Sequence, residues 1–181
     1  CTNVVTSPVL EERLGSDKVR FLPPVYVEEV EEKIYTTIKN WCIVGNMTFI
    51  KKCEITIEAF RRTPDSTLTI YGNLPEGYTR NNLLDNVKFA GFVKQVPYEK
   101  HELYISCSLS ECFANSAVEA SSKGLVCLLS NVDLGHRYYA SICENTKTFS
   151  SFDELLELLV KYQQVGEYKS STFAREYVKN K

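Results

Sequence analysis

The sequence predicts an α/β protein, a Rossmann-like doubly wound parallel sheet with helices on both faces. Short runs rich in Val, Ile, Leu, Tyr and Phe alternate along the chain with helical patterns. Strands joined through helices imply right-handed βαβ crossovers. Several of the runs are apolar on both faces, as strands buried inside a parallel sheet are.

Strands are expected at Asn3–Thr6, Val19–Leu22, Trp41–Gly45, Thr67–Gly72, Val87–Ala90, Leu103–Ser108, Leu125–Ser130 and Lys147–Phe149. Between them, Ile50–Arg62 carries Ile50, Cys53, Ile57 and Phe60 along one helical stripe. Ala114–Lys123 is rich in small residues and runs into Gly124, a helix-ending glycine. Phe152–Gln163 is amphipathic, with Asp153 and Glu154 favourably placed in its first turn. Ser171–Lys179 is expected to be a terminal helix capped by Ser171 or Thr172. Residues 1–22 read as a small β-α-β unit closed by Pro23-Pro24. The acidic EEVEEK segment at 28–33 follows, and Pro23 to Asn40 reads as a linker, so a boundary is expected near residue 40.

Composition narrows the function classes. Twenty-one basic and twenty-three acidic residues give a net charge of -2, which argues against a nucleic-acid binder relying on a basic face. No run approaches the ~18 apolar residues of a membrane span. The opening CTNVVTSPVL lacks the basic and apolar regions of a signal peptide. The seven cysteines are odd in number and mostly embedded in apolar runs, so they read as buried thiols in a reducing compartment. No CxxC occurs, His101 and His136 have no ligand-spaced partners, and no metal or other cofactor is expected. The cytoplasm, or the cytoplasmic face of a membrane, is the expected location.

In an open parallel sheet, ligands bind beyond the carboxyl ends of the strands, where helix N-termini present free amides. Three loops qualify. One reads GNMTFIKKC after Trp41–Gly45, so Gly45 permits a tight turn and Lys51 and Lys52 lead into a helix. A second reads GNLPEG after Thr67–Gly72. The third, SLSECFANSAVEA, places Glu111 at its tip and Glu119 eight residues on, two turns into a helix beginning near Ala114. A diphosphate suits the amides around Phe113, Ala114, Asn115 and Ser116, whereas carboxylates suit hydroxyl groups. Hydroxyl-rich groups on both sides of a diphosphate describe a nucleotide-sugar.

Several ordered motifs resemble the retaining GT-B glycosyltransferases of family 4, the glycosyl transferases group 1. CTNVVTSPVLEERLGSDKVRFLPP is similar to the end of that family's N-terminal domain, and WCIVGNMTFIKKCEITIEAF to the opening of its donor domain. STLTIYG and VKFAGFV match the next strands. SLSECFANSAVEASSKGLVCLLS matches the loop with two glutamates separated by seven residues. The resemblance implies half of a GT-B fold, with residues 1–40 as the tail of the N-terminal domain plus linker and 41–181 as the nucleotide-sugar-binding domain. It also implies roles. Glu111 accepts from hydroxyls of the transferred sugar, Glu119 binds the ribose, and Lys51 stabilises charge on the leaving diphosphate. Amides from Phe113 to Ser116 hold the sugar or diphosphate, Gly45, Asn46 and Lys52 line the phosphate loop, and backbone near Phe92 and Val93 faces the base. The implied partners are a nucleotide-sugar donor and an acceptor glycan or lipid-linked glycan held by a further domain, without which the fragment is expected to be inactive.

This chain departs from the family pattern at Asn46, which stands where the family has Arg, and at Cys112 and Ala114, which replace two glycines. An alternative is therefore a degenerate GT-B subunit that stabilises an active glycosyltransferase; a sugar-nucleotide epimerase is a further one. Asp133 is a minor candidate for polar contact near the cleft, while Tyr138 and Tyr139 read as packing residues.

Overall fold

The computed structural model describes residues 3–5, 19–21, 33–111, 114–131, 134–164 and 166–169. In chain order the strands and α-helices are β1 (Asn3–Val5), β2 (Val19–Phe21), β3 (Ile34–Tyr35), β4 (Asn40–Gly45), α1 (Cys53–Arg61), β5 (Thr67–Gly72), β6 (Val87–Gly91), β7 (Leu103–Ser106), α2 (Asn115–Ser122), β8 (Val126–Ser130), α3 (Leu134–Ile142), β9 (Thr146–Phe149), α4 (Phe152–Gln163) and β10 (Tyr168–Lys169). Six of these strands form one parallel sheet in the order β6-β5-β4-β7-β8-β9. β1 and β2 make a separate parallel pair, and β3 pairs antiparallel with β10.

Strand alternation builds two cores. Trp41, Ile43, Leu68, Ile70, Leu103, Ile105, Val126 and Leu128 face one side, against Cys53, Ile57 and Phe60 of α1 and Leu155, Leu159 and Tyr162 of α4. Cys42, Tyr71, Tyr104, Cys127 and Leu129 face the other side, against Ala117, Val118 and Ala120 of α2 and Tyr139 of α3. Burying every second residue on each face explains the double-sided apolar runs. At the amino ends of the strands, Glu102 joins β4 to β7: its carboxylate accepts from the backbone amides of Lys39 and Asn40, both at 2.7 Å.

Most expected elements lie within two residues of their observed ends, and three differences carry physical information. The helix expected over Ile50–Arg62 is divided into a 3-10 turn at Phe49–Lys51 and α1, because Lys52 adopts a left-handed conformation, φ 49° and ψ 39°. Helix α3 has no counterpart among the expected elements. Its buried stripe of His136 and Tyr139, continued by Cys143 just beyond, includes an imidazole that breaks the apolar pattern. β3 falls inside the expected linker, and both β3 and β10 are two residues long, too short to show an alternation. The helix expected over Ser171–Lys179 lies outside the described residues.

The helix ends follow local chemistry. α2 stops in a Schellman motif, with Gly124 N–H donating to Ser121 O at 2.9 Å and Leu125 N–H to Ala120 O at 3.1 Å. Gly124 has φ +81°, the conformation the motif requires. A stricter constraint joins β4 and β5 at the carboxyl edge. A Cβ on Gly72 would lie 1.8 Å from the carbonyl oxygen of Gly45, its partner on the neighbouring strand. Gly72→Ala is expected to cost about 2 kcal/mol or more beyond Gly77→Ala, because Gly77 also has positive φ but faces open space. Urea unfolding of the two variants measures that difference.

Burial at His101 couples stability to pH. Tyr71 bonds its Nε2 at 2.9 Å, while its buried Nδ1 has no hydrogen-bond partner. Loss of solvation pushes the imidazole below its ordinary pKa, partly opposed by Glu102 and Glu99 and assisted by Lys100 and Lys88. Between the folded and unfolded values the unfolded chain binds the extra proton. The stabilisation is therefore complete above about pH 6.5 and is lost as pH falls from there through the lower folded value. Urea midpoints should fall from pH 7 to pH 5 in the wild type, with a shallower slope in His101→Asn.

Candidate functional site

The strand order reverses direction at β4. The chain goes from β4 outward to β5 and β6, then returns to place β7 on the other flank of β4. Loops following β4 and β7 therefore diverge at their carboxyl ends and leave a crevice, the position at which doubly wound sheets bind ligands. Here the two loops are stitched across it. Leu109 N–H donates to Ile50 O at 2.8 Å, and Ser108 Oγ approaches the same carbonyl at 3.4 Å.

That stitching brings Lys51 and Glu111 together as an ion pair between Lys51 Nζ and Glu111 Oε1. Their side chains are 28% and 17% exposed, so the pair is half-buried yet open to solvent. Such a pair is less screened than a surface pair. Gly45 lies beneath it, with φ +144° and room for a Cβ only 3.7 Å from the Lys51 side chain.

The left-handed turn at Lys52 sends the two lysines in different directions. Lys52 Nζ sits 3.7 Å from the centre of the Phe49 ring and 3.4 Å from Glu54 Oε1. Lys51, and not Lys52, is therefore the cation beside Glu111. Asn46 is exposed on the same loop, and the adjacent Met47 amide donates to Asn73 Oδ1 at 2.6 Å, tying this loop to the one after β5.

Helix α2 begins at Asn115, with Ala114 as an N-cap that supplies no side-chain bond and no acidic residue in the first turn. By contrast, in α4 Ser151 Oγ accepts from Glu154 N–H at 3.1 Å, and Asp153 and Glu154 occupy the first turn. The first turn of α2, with Asn115 and Ser116, thus retains the positive end of its dipole without an acid of its own to balance it. One turn further along, Glu119 Oε2 accepts from the Tyr98 hydroxyl at 3.0 Å. Phe113, Cys112 and Asp133 lie outside the described residues. Phe92 and Val93 are 77% and 42% exposed in the loop after β6, on the same edge of the sheet but two strands from β4.

Among the described residues, the thiols nearest the site are placed for packing. Cys53 and Cys107 are buried, which pushes both thiols up to about 12, so they stay protonated. Tyr139 is buried and bonded to Ser121, while His136 Nδ1 lies 3.1 Å from Ser130 Oγ. Among the described residues no group of three or more His, Cys, Asp and Glu could hold a metal ion, and no helix is long and apolar enough to cross a membrane.

A sheet of this winding with polar loops at its switch point is a doubly wound, Rossmann-like domain. The model of the glycosyl transferases group 1 matches residues 38–157, and the chain belongs to that family. Among solved structures it is similar to a mutant of S. aureus TarM in complex with Fondaparinux, alpha-GlcNAc-glycerol and UDP (TM-score 0.70, 16% identity, 99% of this chain and 40% of that one). It is also similar to sucrose-phosphate synthase from Thermosynechococcus elongatus (TM-score 0.69, 18% identity, 97% of this chain and 53% of that one). A third is the pneumococcal O-GlcNAc transferase GtfA in complex with UDP and GlcNAc (TM-score 0.61, 17% identity, 89% and 37%). The chain thus spans about half or less of the length of each. Among curated protein sequences, none matches significantly.

Sequence reasoning did not separate Lys51 from Lys52 by direction, and the left-handed Lys52 does, placing Lys51 beside Glu111 and Lys52 beside Glu54. It also missed Tyr98, which has no sequence signal of its own because only packing brings the segment between β6 and β7 against α2. Asn73 lies in the GNLPEG loop that the sequence marks, but its bond to the Met47 amide has no local signal.

Proposed function

We propose that this chain is the donor-binding domain of a retaining glycosyltransferase, one that takes a nucleotide-diphosphate sugar and transfers the sugar to an acceptor held by an N-terminal domain. Residues 1–40 would be the tail of that domain and the linker to it. The Lys51–Glu111 pair at the switch point carries the reading. A cation and a carboxylate at the mouth of a crevice match the two ends of a sugar diphosphate, anion on one side and hydroxyls on the other. Two of the structural neighbours are complexes with UDP, which agrees with this donor class.

In this reading Lys51 pairs with the diphosphate and stabilises the charge that grows on it as the glycosidic bond breaks. Glu111 accepts from hydroxyls of the transferred hexose, and Glu119 accepts from the ribose. Amides of residues 113–116 complete the anion cradle at the start of α2. Backbone near Phe92 and Val93 would meet the base. No metal or other cofactor is needed, since the lysine and the helix dipole supply the positive charge. The acceptor would be a glycan or lipid-linked glycan, at a cytoplasmic site.

The alternative, a degenerate subunit that supports another glycosyltransferase, draws on Asn46. The phosphate loop of this chain offers an exposed amide where the family has a guanidinium, and an amide cannot make the bidentate charged contact.

Calorimetric titration with UDP, GDP, ADP and their sugar conjugates separates the two readings. Saturable binding is expected for at least one, weakened about tenfold or more in Lys51→Ala and by less than about threefold in Lys52→Ala. In a protein that includes the acceptor domain, Lys51→Ala and Glu111→Gln should each lower kcat by about 100-fold. Absence of saturable heat with the whole panel would favour the supporting-subunit reading, and wild-type rates in both variants would sink the role assignment.

A further inference from the structure

Tyr98 lies on none of the loops that form the crevice. It opens a 3-10 turn, Tyr98–Lys100, in the segment between β6 and β7, and is 4% exposed. The turn is held by its own backbone, with Tyr98 N–H donating to Val96 O at 2.9 Å and His101 N–H to Tyr98 O at 3.0 Å. The ring belongs to the core layer of Cys42, Tyr71, Tyr104, Ala117 and Val118, so its position is fixed by packing against the sheet and α2. From there its hydroxyl reaches Glu119 Oε2 at 3.0 Å, with Ser116 O further off at 3.4 Å.

We infer that Tyr98 is a positioning residue: it holds the Glu119 carboxylate aimed at the ribose and thereby sets the preference for nucleotides that carry ribose hydroxyls. The inference rests on the reading above, in which Glu119 takes the ribose. A hydroxyl donating to a carboxylate makes a charge-assisted bond, about twice as strong as a neutral one. Glu119 sits half-buried on a helix face, and holding a long side chain in one rotamer lowers the entropy lost when a ligand binds it. Burial and the neighbouring Glu119 both keep the phenol protonated, so it remains a donor. A purely structural tyrosine would be satisfied by the Ser116 carbonyl, yet its shorter bond goes to the carboxylate.

The test titrates the full chain, as wild type, Tyr98→Phe and Glu119→Gln, with UDP, GDP and ADP and with their 2′,3′-dideoxy counterparts. The readout is the ratio of affinities, ribose form over dideoxy form, which cancels any general loss of folded protein. For at least one base the wild type should favour the ribose form. Tyr98→Phe should reduce that ratio by roughly fivefold, and Glu119→Gln should remove it. A Tyr98→Phe protein with the wild-type ratio, beside a Glu119→Gln protein that has lost it, overturns the inference and leaves the ribose role of Glu119 standing. A wild type with no preference, no binding at all, or an unchanged ratio in Glu119→Gln overturns both together.

Discussion

The backbone bond from Leu109 N–H to Ile50 O is the constraint on which the functional edge of this domain depends. At the reversal of strand order, neighbouring loops are led away from each other by the crossovers they begin. A parallel sheet has no hairpin to tie them, so a crevice opens by default. One amide and one carbonyl, supported by the Ser108 hydroxyl, bridge the gap at its base. With that bridge in place, Lys51 and Glu111, one residue after Ile50 and two after Leu109, meet across the opening. The ion pair is thus a consequence of the stitched loops more than their cause.

Two unusual backbone positions set the directions of the side chains. Lys52 is the one non-glycine with positive φ among the described residues. A left-handed residue there costs about 1–2 kcal/mol, and it breaks what would be a continuous helix from Ile50 into a 3-10 turn and α1. The gain is divergence: one lysine points to the crevice and the next to Phe49 and Glu54. Gly72 performs the complementary task beneath. Its missing side chain lets the Gly45 carbonyl approach closely, where a Cβ would lie only 1.8 Å from the oxygen.

Much of this was legible in the residues because the sheet is buried on both faces. Strands such as Thr67–Gly72 declare themselves as short apolar runs and helices such as Phe152–Gln163 through period 3.6, and both have their expected ends. Glu111 and Lys51 stood out as charged groups following apolar strands, and Glu119 by its spacing from Glu111 into the next helix. What escaped detection was tertiary. Nothing local marks Lys52 as left-handed, since the conformation is imposed by the loops on either side. Helix α3 hid its apolar face behind His136 and Gly135, both buried. β3 and β10 pair residues that stand far apart in the chain, and no two-residue strand carries a pattern of its own.

The two ends of the crevice differ in how firmly they are prepared. At one end, Glu119 is braced by Tyr98, a side chain rooted in the core. At the other, Lys51 is engaged with Glu111, and in the proposed reading a diphosphate would have to compete with or share that contact. In that reading such an exchange would be favoured, because a diphosphate carries more charge than one carboxylate. Release of Glu111 from Lys51 would in turn leave its oxygens to hydroxyl donors. Binding of the diphosphate and recognition of the sugar would then be coupled through a single pair, with the anion freeing the carboxylate that the sugar needs.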